Sequence, residues 1–204
     1  RYLLELLHEV RNLPAGRHGQ TPGAEAQSLI GIPTELPQML NAREQRAALQ
    51  NSLLVSCRCP LVSFTLNIPG PVKVLPLVPQ AFDAGISKIE DALADQGLPV
   101  VRREQVIQAT GLEAMWAVET DAVRLKTLMA AIEDGGGLGR LFDIDVLDAG
   151  GKKLSREGLG LPPRKCLLCE QPAHACARSR THTVMELTEQ IESILRKEFS
   201  HHGI

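Results

Sequence analysis

Pro60-Leu-Val-Ser-Phe-Thr-Leu-Asn-Ile68 is the stretch that decides the fold. Val62, Phe64, Leu66 and Ile68 alternate with Ser63, Thr65 and Asn67, the period of two of a half-buried strand. Pro69-Gly70-Pro71 stops it. Downstream, Phe82, Ile86, Ile89 and Leu93 recur at spacings of four, three and four, one face of a helix that Gly97 and Pro99 end. Val100–Ala109 and Leu112–Glu119 flank Thr110-Gly111 and read as a hairpin. Thr120 or Asp121 can cap the next helix, where Ala122, Leu125, Met129 and Ile132 share a side and Gly135-Gly136-Gly137 marks the end. Leu141–Leu147 is a strand, and Gly150-Gly151 turns the chain back towards Lys153–Arg156. Strand, helix, hairpin, helix, strand predicts an α+β fold: a small mixed or antiparallel sheet with helices on one face, ferredoxin-like. A nucleotidyltransferase palm is the nearby alternative.

Outward from this centre the signals thin. Tyr2–Val10 can form a short helix, but eight Pro and Gly residues between Pro14 and Pro37 break any period, so residues 1–38 read as a loose arm. A helix is expected from Asn41, with Asn41 as cap, Glu44 three residues on, and Leu49 and Leu53 on one face. At the far end Thr183-x-x-Glu186 is a capping box. Val184, Leu187, Ile191 and Leu195 make a final amphipathic helix. The reading is one α+β domain over 39–204, with a Cys-rich segment at 162–182 and a C-terminal helix.

Composition narrows the function classes. The chain has 204 residues, 44% of them hydrophobic, and a net charge of −2, the balance of a globular domain with a real core. Aromatics at 3% argue against a stacking platform for single strands, and the acidic balance argues against a duplex binder. No window is apolar enough to span a bilayer. Five cysteines, an odd count with a Cys-x-x-Cys pair and no export signal, predict reduced thiols and a cytoplasmic setting.

Chemistry concentrates in Gly139-Arg-Leu-Phe-Asp-Ile-Asp-Val146. On a strand, Phe142, Ile144 and Val146 turn to the core while Asp143 and Asp145 share the opposite face. Two carboxylates there suit Mg²⁺ carrying substrate phosphates, although a solvated strand face has the same pattern. Residues 140–182 hold eight basic and five acidic side chains, a local excess of +3, which suits a metal-bound polyphosphate. Cys166-x-x-Cys169, Cys176 and His182 can close a zinc tetrahedron, with His174 competing for the fourth place. Packing the same cysteines as small buried hydrophobes is the competing reading, since offsets of three and ten share a helical face.

With these motifs in view, the chain from about Thr34 to its last helix resembles the apo-citrate lyase phosphoribosyl-dephospho-CoA transferases, also called citrate lyase holo-acyl-carrier-protein synthases. The resemblance rests on Pro60-Leu-Val-Ser-Phe-Thr65, Pro69-Gly-Pro-Val-Lys73, Gly139–Val146, Leu161-Pro-Pro-Arg-Lys-Cys-Leu-Leu-Cys-Glu170, Cys176-Ala-Arg178 and Thr181-His182. It implies a nucleotidyltransferase that attaches a prosthetic group. The group would move from 2′-(5″-triphosphoribosyl)-3′-dephospho-CoA to a serine of the citrate lyase acyl carrier subunit, with pyrophosphate leaving. Asp143 and Asp145 would be catalytic and hold Mg²⁺. Arg140, Arg164, Arg178 and His182 would hold phosphate oxygens, and Glu104 or Glu119 could serve as a third acid. The equivalent enzyme for the malonate decarboxylase carrier is the alternative within the class. A non-catalytic zinc-knuckle binding module is the alternative outside it.

Overall fold

The computed structural model describes residues 23–200. Helices α1 (Gly23–Ser28) and α2 (Leu36–Cys57) precede strand β1 (Leu61–Leu66). Then follow α3 (Val78–Asp95), β2 (Val100–Gln108), β3 (Gly111–Val118) and α4 (Ala122–Asp134). A 3₁₀ turn (Gly137–Leu141) leads into β4 (Phe142–Leu147), and α5 (Ala173–Ser179) and α6 (Val184–Phe199) close the chain. The sheet is antiparallel throughout, in the order β2-β3-β1-β4. β3 therefore separates β1 from β2, which run the same way. This is the split βαβ arrangement, and the fold is α+β.

One face of the sheet carries the main core. Val62 and Phe64, Ala114 and Trp116, and Phe142, Ile144 and Val146 pack there against α3, α4 and the Ile191 and Leu195 side of α6. Phe64 stacks on Phe82 at 5.3 Å and meets Phe142 edge-on at 5.2 Å. Gly85 allows this closeness, because a Cβ there would lie 2.3 Å from the Phe64 ring.

The expectation of helices on one face needs correction. On the opposite face Leu61, Met115 and Ala117 bury against Leu53 and Leu54 of α2, so a long helix covers that side as well. Asn41 does not cap this helix. It starts at Leu36, with Pro37 in the first turn, where a missing N–H costs nothing, and Gln38 Oε1 accepts the Glu35 N–H at 2.7 Å. The loose arm is corrected over 23–38 too. Ala26 is fully buried, and Thr34 donates to the Pro71 carbonyl from its hydroxyl at 2.7 Å and its N–H at 2.9 Å. The helix expected at Tyr2–Val10 lies outside the described residues. Asp121 caps α4, accepting the Val123 and Arg124 N–H groups, and Thr183 and Glu186 form the capping box of α6.

Candidate active site

β4 is an edge strand, and α4 holds its open side. The Ile144 N–H donates to Glu133 Oε1 at 2.9 Å, and the Ile144 carbonyl accepts from Lys126 Nζ at 2.7 Å. Both side chains are 4% exposed, so two buried charges replace the missing strand. The Val146 carbonyl accepts the Leu154 N–H at 2.9 Å. Just upstream, Gly139 lies against the last turn of α4. A Cβ there would sit 2.5 Å from the Ile132 carbonyl oxygen, so only glycine lets the chain enter β4 at this height.

Held this way, β4 turns Phe142, Ile144 and Val146 into the core and Asp143 and Asp145 to the α2 face, opposite Thr65 and Ser63 of β1. Lys153 Nζ lies 2.6 Å from Asp145 Oδ2. Arg164 Nη1 lies 3.9 Å from Asp143 Oδ1, and Arg164 also reaches Glu133 Oε1 at 3.4 Å and the Arg140 carbonyl at 3.0 Å. Arg156 pairs with Glu133 at 3.0 Å and with Asp134.

Crowding by the protein lifts the Asp143 carboxyl above the usual range. The like charge of Asp145 adds to this, while Lys153, Arg164 and Lys126 oppose it. The signs can be tested in metal-free protein. Asp145→Asn should lower the Asp143 pKa, because a repulsive charge is gone. Lys153→Met should raise it, because an attractive one is gone. A carboxyl NMR titration reads both, and a shift of the opposite sign in either variant would show that the two groups do not sense each other.

Above the aspartates, α2 and the sheet enclose a cleft lined by Arg43, Arg46, Lys73, Thr65, Asn67 and Asp143, among others. Arg46 grips Glu113 of β3 in two bonds, Nε to Oε2 at 2.8 Å and Nη2 to Oε1 at 2.5 Å. Those bonds, outweighing burial, raise the guanidinium pKa, with Asp143 and Asp145 adding to the effect. Glu113 lies opposite Thr65, which lies opposite Asp143, so Arg46 spans one cross-strand row. Lys73 Nζ donates to the Ile68 carbonyl at 2.7 Å, and burial, then Arg43, lowers its pKa.

The residues expected to act are only partly gathered. Glu104 is three strands from Asp145 through Ser63 and Met115, about 14 Å at ~4.8 Å per strand, and it pairs with Arg102. Glu119 lies beyond the end of β3. Neither is placed as a third acid. Glu113 is nearer but buried and committed to Arg46. Of the four expected phosphate ligands, Arg164 alone has a recorded contact with an aspartate. Arg140 Nη2 donates to the Cys166 and Lys165 carbonyls at 2.7 and 3.3 Å. Arg178 is exposed on α5. His182 Nε2 is 3.4 Å from Cys169 Sγ.

His182 belongs to a second group. Its ring and the sulfurs of Cys166, Cys169 and Cys176 lie within 4.8 Å of one another, a set able to hold a metal ion. His174 is not in the set. Cys166 and Cys169 precede α5 and only Cys176 lies on it, so the three do not share one continuous helix. All five cysteines are unbridged.

The comparisons converge. A family model described as apo-citrate lyase phosphoribosyl-dephospho-CoA transferase matches residues 34–198. Two relatives bearing that name, from Escherichia coli (strain HS) and Shigella boydii serotype 18, are each 39% identical over 160 residues. Those residues cover 78% of this chain and 87% of each relative. Both aspartates, the basic cleft and the Cys/His group fall inside the matched span. The chain belongs to the apo-citrate lyase phosphoribosyl-dephospho-CoA transferase family.

Proposed function

We propose that this transferase moves the phosphoribosyl-dephospho-CoA group of 2′-(5″-triphosphoribosyl)-3′-dephospho-CoA onto a serine of the citrate lyase acyl carrier subunit. The carrier hydroxyl attacks the innermost phosphorus of the triphosphate, the new O–P bond forms, and pyrophosphate leaves with the electrons of the broken bond. The chain itself then needs no nucleophile. It must hold a highly charged donor and stabilise charge as it gathers on the leaving group.

The observation that carries this reading is Asp143 in the wall of the cationic α2 cleft, with Asp145 beside it on the same face of β4. An all-oxygen pair in which burial, and then the neighbour's like charge, raises the Asp143 pKa suits a hard divalent cation, so Asp143 and Asp145 are the residues that would hold Mg²⁺. When bound, the ion supplies charge neutralisation at the triphosphate. Arg43 of α2 and Lys73 of the loop after β1 line the cleft that would take the donor, Arg46 adds its charge there while its fork holds Glu113, and Arg164 and Lys153 flank the aspartates. Arginine forks suit phosphate oxygens in two-bond contact. Asp143, with its side chain 52% exposed, is the acid best placed to take the serine proton.

No described helix is long and apolar enough to cross a membrane, and unbridged cysteines suit a reducing cytoplasm. The test is incubation of the full chain with donor, Mg²⁺ and the apo-carrier of either citrate lyase or malonate decarboxylase. The citrate lyase carrier should gain the mass of the group, with one pyrophosphate per carrier. Modification of the malonate decarboxylase carrier alone would assign the alternative substrate. Modification of neither would overturn the reading and favour a binding module.

A further inference from the structure

Between β4 and α6 the chain makes a long excursion that has no apolar core of its own, with Leu167 packing, partly buried, on the main core. Across residues 148–182 the only buried side chains are Cys166 and Cys176, and neither belongs to an apolar cluster of the domain. Burial as small hydrophobes does not require polar company; these two sit beside a third thiol and an imidazole. A segment without a core needs a staple.

The geometry of the group is that of a metal tetrahedron. Two sulfurs on one zinc, each about 2.3 Å from it, stand about 3.8 Å apart, and a sulfur and an imidazole nitrogen about 3.6 Å apart. Cys169 Sγ and Cys176 Sγ are 3.5 Å apart, and Cys169 Sγ and His182 Nε2 are 3.4 Å apart. Three thiolates and one imidazole fill four positions, leaving none for substrate, which is the pattern of a structural site.

We propose that Cys166, Cys169, Cys176 and His182 bind one structural zinc ion that holds the 162–182 loop so that Arg164 stays beside Asp143. Arg164 is two residues from the first ligand. The loop is tied to the strand region by a reciprocal pair: Arg140 donates to the Cys166 carbonyl at 2.7 Å, and Arg164 donates to the Arg140 carbonyl at 3.0 Å. Backbone bonds from Cys166 to Gln171 and from Ala173 to Arg164, both 2.7 Å, close the loop on itself. Arg140 therefore steadies the main chain that carries the first of the four residues. The metal site stands apart from the transferase reading; the link to Arg164 as a positioning device rests on it.

Elemental analysis of the full chain purified without added metal should find about one zinc per chain. Cys176→Ser should abolish retention, and Arg140→Ala should weaken zinc affinity by roughly 10–100-fold. Should Cys176→Ser fail to fold, chelation of the wild-type chain gives the same comparison. Hydrogen exchange in the zinc-free chain should speed up over 162–182 and stay slow over 60–147. A chain that carries no zinc and takes up none from micromolar zinc when reduced would overturn the site, as would unchanged exchange over 162–182 after zinc removal. Zinc removal should slow transfer in the wild type but not further in Arg164→Ala; an equal loss in both overturns the link to Arg164. If the wild type transfers nothing, the transferase reading fails while zinc content and exchange still decide the metal site.

Discussion

Asp143→Asn and Asp145→Asn should each lower transfer by about 10²–10³-fold or more, the scale of losing a group that stabilises developing charge, while the protein stays folded. Both side chains point away from the main core, and amide for carboxylate leaves no cavity. Asp145→Asn gives up the Lys153 contact, an ion pair with both ends partly exposed and worth about 0–1 kcal/mol. Asp143→Asn should be neutral or slightly stabilising near pH 7. A carboxyl with a raised pKa is easier to protonate when folded, so its ionised form works against folding above that pKa. Activity and melting temperature would then move independently, as they do when a site keeps a costly charge for function. Initial rates over a Mg²⁺ series, beside a thermal melt, measure both. Wild-type turnover by either variant at limiting Mg²⁺ would remove the aspartates from the chemistry.

The largest loss of stability is expected from Glu133→Gln. Glu133 is 4% exposed and meets the Ile144 N–H, Arg156 and Arg164 at once. Neutralising it leaves the Arg156 guanidinium, 11% exposed, with only Asp134 as a charged partner. It also removes the charge that opposes the burial-driven fall of the Lys126 pKa. Breaking a buried pair from one side costs about 3–5 kcal/mol, or roughly 6–20 °C in melting temperature for a domain of this size. Transfer at low temperature should fall less than in the aspartate variants, because no group that meets the donor is lost. A melt within a degree of wild type would mean that Glu133 does not secure the strand.

Much of the fold was legible because its centre follows simple periods. The alternation of Val62, Phe64 and Leu66, the 82–93 stripe and the Thr110-Gly111 turn each report one local geometry. Asp143 and Asp145 were legible for the same reason, since a strand sends alternate residues to one face. The α2 cleft was not. The sheet-facing side of α2 carries Ala42 in its first half, Arg46 at its middle and Leu53 and Leu54 near its end, so it shows no continuous apolar stripe. Pro37 resembled a break when it is a first-turn residue. Arg43 and Arg46 share a face, yet charges three apart usually mean solvent, and nothing local announces a sheet beneath them. Lys126 and Glu133 look like surface residues until β4 is placed at the edge. The Cys/His spacing singled out four residues that the structure gathers, but the choice of His182 over His174 needed the chain to turn after α5.

The sealing of β4 bears on how the protein avoids its own copies. A sheet edge with bare N–H and C=O groups is a template for another strand, and Phe-Asp-Ile-Asp-Val would pair readily with a second molecule. Here the template exists only until α4 docks, because Lys126 and Glu133 occupy the Ile144 groups that a foreign strand would need. The hazard is therefore confined to newly made or heated chains in which the sheet has formed and α4 has not settled. Self-association in those states should begin at β4 and not at β2, the other edge strand, which carries Arg102, Arg103 and Glu104 as charged gatekeepers.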